Sequence, residues 1–355
     1  MAELTLENLR CIEKAELSFG SGTTLIFGAN GAGKTSILEA AYLLGRGRSF
    51  RTRLNERLIR HGQSFARVVG RARANPVDRK LGVEVQRGKE GKGGTAGRLD
   101  GADVRSFAEL ATAFPVQAMD PDAHKLIEES STRRRRWLDW AVFHVEQGFA
   151  GSWARYQRAV AQRNAALRTG RAEVDVWDHE LAREGEAMAL ARQRVVTALH
   201  PYWTEIATEL TDLPITLDLQ PGWDQSVGLA DALAAAAQRD RDRRTTTVGP
   251  HRADLSLKVR GKIAREVLSR GQQKLAAVAL NLCQLEYLKR EHGLQPTLLL
   301  DDPSAELDRE RWSGFIGRVR ALECQVLVAA LDRDTPLFGT PETVFHVEQG
   351  GVFQV

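Results

Sequence analysis

Apolar and polar positions alternate through Leu4–Leu9 and again through Glu13–Phe19, which predicts two strands before a Gly20-Ser21-Gly22 turn. Thr23–Phe27 (TTLIF) is short, apolar and β-branched, the pattern of a buried strand. Gly28–Gly33 breaks it. From Lys34 to Leu44 the period lengthens, with Ile37, Leu38, Ala41 and Leu44 on one side of a predicted helix. The chain therefore opens as strand, glycine loop, helix.

Strand character returns between Val68 and about Val85, and Gly88–Gly97 reads as a flexible basic loop or hairpin. An apolar run follows at Thr112–Met119. From about Ser131 to Thr211 the chain is rich in Ala, Arg, Glu and Leu. Within it, Trp177, Leu181, Met188, Val195, Leu199, Ile206 and Leu210 recur four or seven apart. That is a helical stripe of core type, with an interruption expected at Pro201. Leu229–Arg244 continues Ala- and Arg-rich. Asp254–Val259 predicts a strand, about Gln272–Glu291 a helix, and Thr297–Leu300 and Gln325–Ala330 buried strands. Strands alternating with helices predict a parallel α/β sheet. The expected organisation is one discontinuous α/β domain from residues 1–120 and 246–355, with a mainly helical lobe at 121–245 inserted in it.

A length of 355 residues exceeds one typical core and fits about two lobes. With 43% hydrophobic and 27% charged residues, bulk disorder is excluded. The formal net charge of +4 permits a polyanionic partner without demanding one. Cys11, Cys283 and Cys324 are widely spaced and form no CxxC pair. They predict neither a zinc site nor a disulfide framework, but structural thiols in a reducing cytoplasm. The opening MAELTLENLRCIEKAEL lacks the apolar segment of a signal peptide. No run is long and apolar enough to span a membrane.

Three motifs carry chemistry. Gly28-Ala29-Asn30-Gly31-Ala32-Gly33-Lys34-Thr35 matches GxxxxGK[ST] between a predicted strand and helix. Its glycines let backbone amides curl around phosphate oxygens, and the positive helix end points at the same anion. Lys34 is expected to reach the β- and γ-phosphates of ATP, and the Thr35 hydroxyl to ligate Mg²⁺. Leu298-Leu299-Leu300-Asp301-Asp302 is a buried strand ending in acids. Asp301 suits the metal, and Asp302 suits orienting or deprotonating an attacking water. Leu268-Ser269-Arg270-Gly271-Gln272 opens a helix, where Ser269 reads equally as an N-cap.

In the order P-loop, LSxGQ, acidic strand end, these motifs resemble the ABC ATPase superfamily, and Pro303–Asp308 looks like its D-loop. GANGAGKTSILEAAYLLGRGRSFR at Gly28–Arg51, RRRRWLDWAVFH at Arg133–His144, VGPHRADL at Val248–Leu255, LSRGQQK at Leu268–Lys274 and LLLDDPSAELD at Leu298–Asp308 narrow the resemblance to the RecF family. That resemblance implies an ABC-type, Rad50-head-like ATPase with a helical lobe in place of long coiled-coil arms. It also implies an ATP-dependent homodimer on double-stranded or gapped DNA, in which Ser269, Gly271 and Gln272 of one copy contact the γ-phosphate held by Lys34 of the other. A role in loading recombinase through RecO- and RecR-type proteins comes with it. So does a weak ATPase that acts as a switch.

The chain departs from transporter ATPases. Leu327–Asp332 holds no switch histidine, and Asp302 stands where transporters carry Glu, which predicts slow turnover. Gln117 and Asp122 are both candidates for the loop that senses nucleotide. Arg133–Arg136 reads as a DNA contact or a solvated helix face. Arg46, Arg48 and Arg51 serve the nucleotide or the fold, and His251 and Arg252 are either structural or near the nucleotide. A transporter subunit, an SMC- or Rad50-type bridging head and an ATPase acting on a non-DNA partner are the rival readings.

Overall fold

The structure is a computed structural model and describes residues 1–355 except 75–76, 89–92, 171–174, 304–308 and 336–338. The chain divides into two compact units, Met1–Ala123 with Gly293–Val355, and His124–His292.

In the first unit the opening alternation forms the hairpin β1 (Glu3–Leu9) and β2 (Ile12–Ser18), and TTLIF forms β3 (Thr23–Phe27). Helix α1 (Lys34–Arg46) follows the glycine loop. Then come β4 (Phe65–Ala74), β5 (Val77–Gln86), β6 (Gly94–Leu99), β7 (Ala102–Asp103), α2 (Phe107–Ala113) and β8 (Val116–Met119).

The second unit holds α3 (Lys125–Glu128), α4 (Ser131–Val145), α5 (Phe149–Thr169) and α6 (Asp178–Thr211). It continues with β9 (Ile215–Gln220), α7 (Leu229–Arg243), β10 (Asp254–Val259), β11 (Lys262–Ile263), α8 (Ala264–Val267) and α9 (Arg270–His292). The chain then returns to the first unit with β12 (Thr297–Asp301), α10 (Arg309–Leu322), β13 (Val326–Ala330), β14 (Thr343–Glu348) and β15 (Gly351–Gln354).

Two six-stranded sheets build the first unit, one ordered β2-β1-β4-β5-β6-β7 and the other β15-β14-β3-β13-β12-β8. The first is antiparallel. In the second, β14, β3, β13, β12 and β8 run parallel, with β15 antiparallel at the edge. Helix α1 packs against strands of both sheets, so it is buried around nearly its whole circumference rather than on one stripe. Leu4, Leu6, Ile26, Ile37, Leu38, Leu43, Val83, Leu299 and Leu327 belong to one core around it. The amino-terminal and carboxy-terminal parts therefore share one fold, as the alternation predicted.

In the second unit, α6 runs through Pro201 without a break. Leu199, Tyr202, Trp203 and Ile206 are all buried across that position, so packing outweighs the one backbone bond that proline removes. The unit also carries an antiparallel sheet, β11-β10-β9, which the helical reading did not anticipate at β9. The segment 246–292, assigned to the α/β domain on motif order, lies in this second unit, because α9 packs along α6 and α3.

Candidate functional site

The P-loop joins β3 to α1 at the carboxyl ends of the parallel strands, where ligands of α/β sheets bind. Gly28 has φ +151°, and a Cβ there would lie 2.1 Å from the Val347 carbonyl oxygen, so no side chain fits. Gly33, at φ +123°, is the residue from which α1 starts. Its carbonyl accepts from the amides of Ser36 and Ile37 at 3.0 and 3.3 Å. The amides of Lys34 and Thr35 belong to the first helical turn, which has no intrahelical acceptors and attracts anions. Ala29, Asn30 and Gly31 are exposed, while Ala32 is buried.

Lys34 is buried, and its Nζ donates to the Gly28 and Ala29 carbonyls at 2.7 and 3.0 Å. Burial lowers its pKa, and the charges of Asp301 and Asp302 oppose that shift. Thr35 Oγ1 donates to Asp301 Oδ1 at 2.8 Å. β13 lies between β3 and β12, with Ala330 opposite Phe27 and Ala329 opposite Asp301. Two motifs 266 positions apart thus meet in one hydrogen bond. Burial pushes the Asp301 carboxyl up, while the Thr35 hydroxyl, Arg51 and Lys34 pull it back.

A desolvated carboxylate beside a hydroxyl is a hard-oxygen donor pair that fits Mg²⁺, an ion usually held by one or two carboxylates plus phosphates. Asp302 leaves the strand through a left-handed backbone, φ 48°, with its amide bonded to the Ala329 carbonyl at 2.9 Å.

The carboxy-terminal hairpin β14–β15 backs this loop, and the sequence reading missed it. Gly350 N donates to the Ala32 carbonyl at 2.9 Å, and the His346 ring stacks on Phe27 with centroids 4.9 Å apart. TVFHVE alternates, and Gln349-Gly350 turns with both φ positive, a legible two-residue hairpin signal.

Gln117 is buried on β8, beside β12, and Asp122 follows at the same carboxyl end of the sheet. In the second unit, Ser269 and Gln272 cap α9 reciprocally. Gln272 N donates to Ser269 Oγ at 3.3 Å and Ser269 N to Gln272 Oε1 at 3.0 Å. Ser269 and Gly271 are exposed, and a Cβ on Gly271 would touch nothing within 4 Å. The D-loop residues Ser304–Asp308 lie outside the described residues.

The arginine run at 133–136 is not a solvated face. Arg134 is buried, with Nε and Nη2 on the Asp254 carboxylate at 2.8 and 3.0 Å and Nη1 on the Leu126, Ile127 and Glu129 carbonyls. Arg135 donates to the Ala253 carbonyl at 2.6 Å, and Arg133 pairs with Glu129. His251 is structural within this unit. Its Nε2 faces the Thr246 carbonyl at 3.0 Å and must donate, so Nδ1 accepts from the Tyr156 hydroxyl at 2.7 Å. Burial lowers the His251 pKa to about 4, which keeps the ring neutral.

All three cysteines are free thiols. Among the described residues, no helix is long and apolar enough to cross a membrane, and no group of three or more His, Cys, Asp or Glu side chains is placed to hold a metal.

A family model described as the RecF/RecN/SMC N-terminal domain matches residues 1–350. The chain is 40% identical over 363 aligned positions to the DNA replication and repair protein RecF of Stenotrophomonas maltophilia, covering 99% of this chain and 98% of that protein. It is similar to a solved structure of the recombination mediator protein RecF with ATP in the RecFOR pathway. There the TM-score is 0.89 and the identity 26%, covering 100% of this chain and 97% of that one. A solved Smc head bound to the C-terminal winged-helix domain of ScpA shares the fold at TM-score 0.56 and 18% identity, covering 99% and 96%.

Proposed function

This chain belongs to the RecF/RecN/SMC family, within it to the RecF proteins, and from that membership we propose an ATP-gated DNA-binding protein of replication and repair. ATP held between two copies dimerises them on duplex DNA at gaps or single-strand/double-strand junctions. Slow hydrolysis releases the DNA, and mediator proteins of RecO and RecR type use the bound dimer to load recombinase. The compartment is the cytoplasm.

The observation that carries this reading is the Thr35–Asp301 hydrogen bond at 2.8 Å, which brings the P-loop hydroxyl and the acidic strand end together beside Lys34. Lys34 and the first-turn amides of α1 bind the phosphates. Thr35 and Asp301 hold Mg²⁺, which supplies charge neutralisation at the β- and γ-oxygens. Asp302 accepts a proton from the attacking water, and its short side chain makes the step slow. Ser269, Gly271 and Gln272 of the other copy complete the site on the γ-phosphate. Hydrolysis removes those contacts, so the dimer opens.

The rival reading as a bridging head with long arms fits less well. The longest helix described, α6, has 34 residues and spans only about 50 Å at helical rise. Sedimentation velocity with ATP, ADP or no nucleotide, with and without gapped duplex DNA, tests the proposal. ATP-dependent dimers that co-sediment with duplex are expected. A monomer under every condition overturns it.

A further inference from the structure

We propose that Glu39 and Ser49 are positioning residues, a buried relay that sets Arg51 beside the metal end of the nucleotide site; this rests on the nucleotide-binding reading above. Glu39 lies on α1, five residues beyond Lys34, with no exposed surface. A buried carboxylate needs charged and hydrogen-bonding partners. Arg10 supplies two, with Nε and Nη2 each 3.0 Å from a Glu39 oxygen. Ser49 supplies a third, donating from Oγ at 2.5 Å.

The third bond does more than neutralise the acid. The Ser49 oxygen also accepts from the amides of Arg51 and Thr52 at 3.0 and 3.1 Å. A hydroxyl has one proton and two lone pairs, so every bonding position on Ser49 is used and its rotor is locked. Asn55 closes the same loop. Its Oδ1 accepts from Ser49 N at 3.2 Å, and its Nδ2 donates to the Gly47 carbonyl at 2.8 Å and to Thr95 Oγ1 at 3.0 Å. The backbone of Arg51 is thereby tied to the helix that begins at Lys34.

The other end of the relay is also fixed. Arg10 sits at φ 55°, in the left-handed region, and so does Asn8. Backbone bonds from Arg10 N to the Leu58 carbonyl and from Arg60 N to the Asn8 carbonyl, at 2.7 and 2.9 Å, hold that turn. The next residue, Cys11, touches the P-loop through the Ala32 carbonyl. Arg10 and Ser49 therefore clasp α1 from two sides through one carboxylate. The Arg51 side chain is exposed, and its charge acts on the Asp301 carboxyl. Shifting the loop would move a cation relative to the residues assigned to Mg²⁺, while leaving the phosphate cradle at Gly28–Lys34 in place.

The test is a double-mutant cycle on ATP turnover and on affinity for a fluorescent ATP analogue, using the full chain. Ser49→Ala and Arg51→Ala should each lower turnover at saturating ATP about tenfold, with affinity within about threefold. Ser49→Ala should have no further effect in the Arg51→Ala background, because the relay acts through that side chain. Unchanged turnover in Ser49→Ala, or a double mutant about a hundredfold slower, overturns the inference. A purely structural role would lower the melting temperature and affinity together without non-additivity in turnover, which also overturns it. Failure of the unaltered chain to bind the analogue would instead overturn the nucleotide-binding reading beneath it.

Discussion

The loop at Gly28–Thr35 and the turn at Leu268–Gln272 carry the two motifs of the proposed site, and they are satisfied in different ways. Lys34 is buried and bonded to two loop carbonyls, and Thr35 is bonded to a carboxylate on another strand. Ser269 and Gln272 are bonded only to each other's amides at a helix end, and Gly271 is open. The first region is held by a sheet, a core helix and the carboxy-terminal hairpin. The second is a capping box, worth about 1 kcal/mol, which a phosphate oxygen can replace at small cost. A half-site that binds first is preorganised, whereas one that closes on a second copy stays exposed and self-satisfied until it is needed.

Lys34→Met attacks the preorganised half and should have the largest effect. ATP affinity should fall about a thousandfold, near 4 kcal/mol, and ATP-dependent dimers should vanish, as read by calorimetric titration and sedimentation. Ser269→Arg attacks the exposed half. It should leave ATP binding by single copies within about twofold while weakening dimerisation by a similar thousandfold. Unchanged dimers there would reduce the turn to a helix cap.

A third prediction concerns pH in the unit that bears this turn. His251 titrates near 6.5 when unfolded, and at about 4 in the folded protein because burial disfavours its charged form. Only the unfolded chain takes up the proton between those values, so stability is complete above about pH 6.5 and is lost as pH falls toward 4. The loss should approach 3 kcal/mol, roughly, and His251→Gln should flatten it in a denaturation series from pH 8 to 4. The smallest effect belongs to Ser269→Ala, which should cost about 1 kcal/mol of thermal stability through the lost cap.

Much of the site was legible before the fold was known. TTLIF, the glycine loop and the helix from Lys34 lie where hydrophobic period and motif spacing placed them, as does the leucine strand ending at Asp301. Local pattern suffices there because each element is short, strongly patterned and bounded by glycine or acid. Packing choices were less legible. Nothing local distinguishes an arginine on solvent from Arg134, which four partners bury, since both are simply polar positions on a helix. Motif order placed 246–292 with the α/β domain, whereas α9 packs along α6. Glu39 and Ser49 read as ordinary helix and loop residues. Only the fold brings Arg10 to them.

The central claim is that each ATP is shared, with Lys34 from one copy and Ser269 from the other. Mixing Lys34→Met chains with Ser269→Arg chains tests it most directly, because only the mixed dimer holds one intact composite site. Sedimentation with ATP should show dimers in the mixture and none in either variant alone. Dimers in either variant by itself, or no dimers in the mixture, would contradict the shared site.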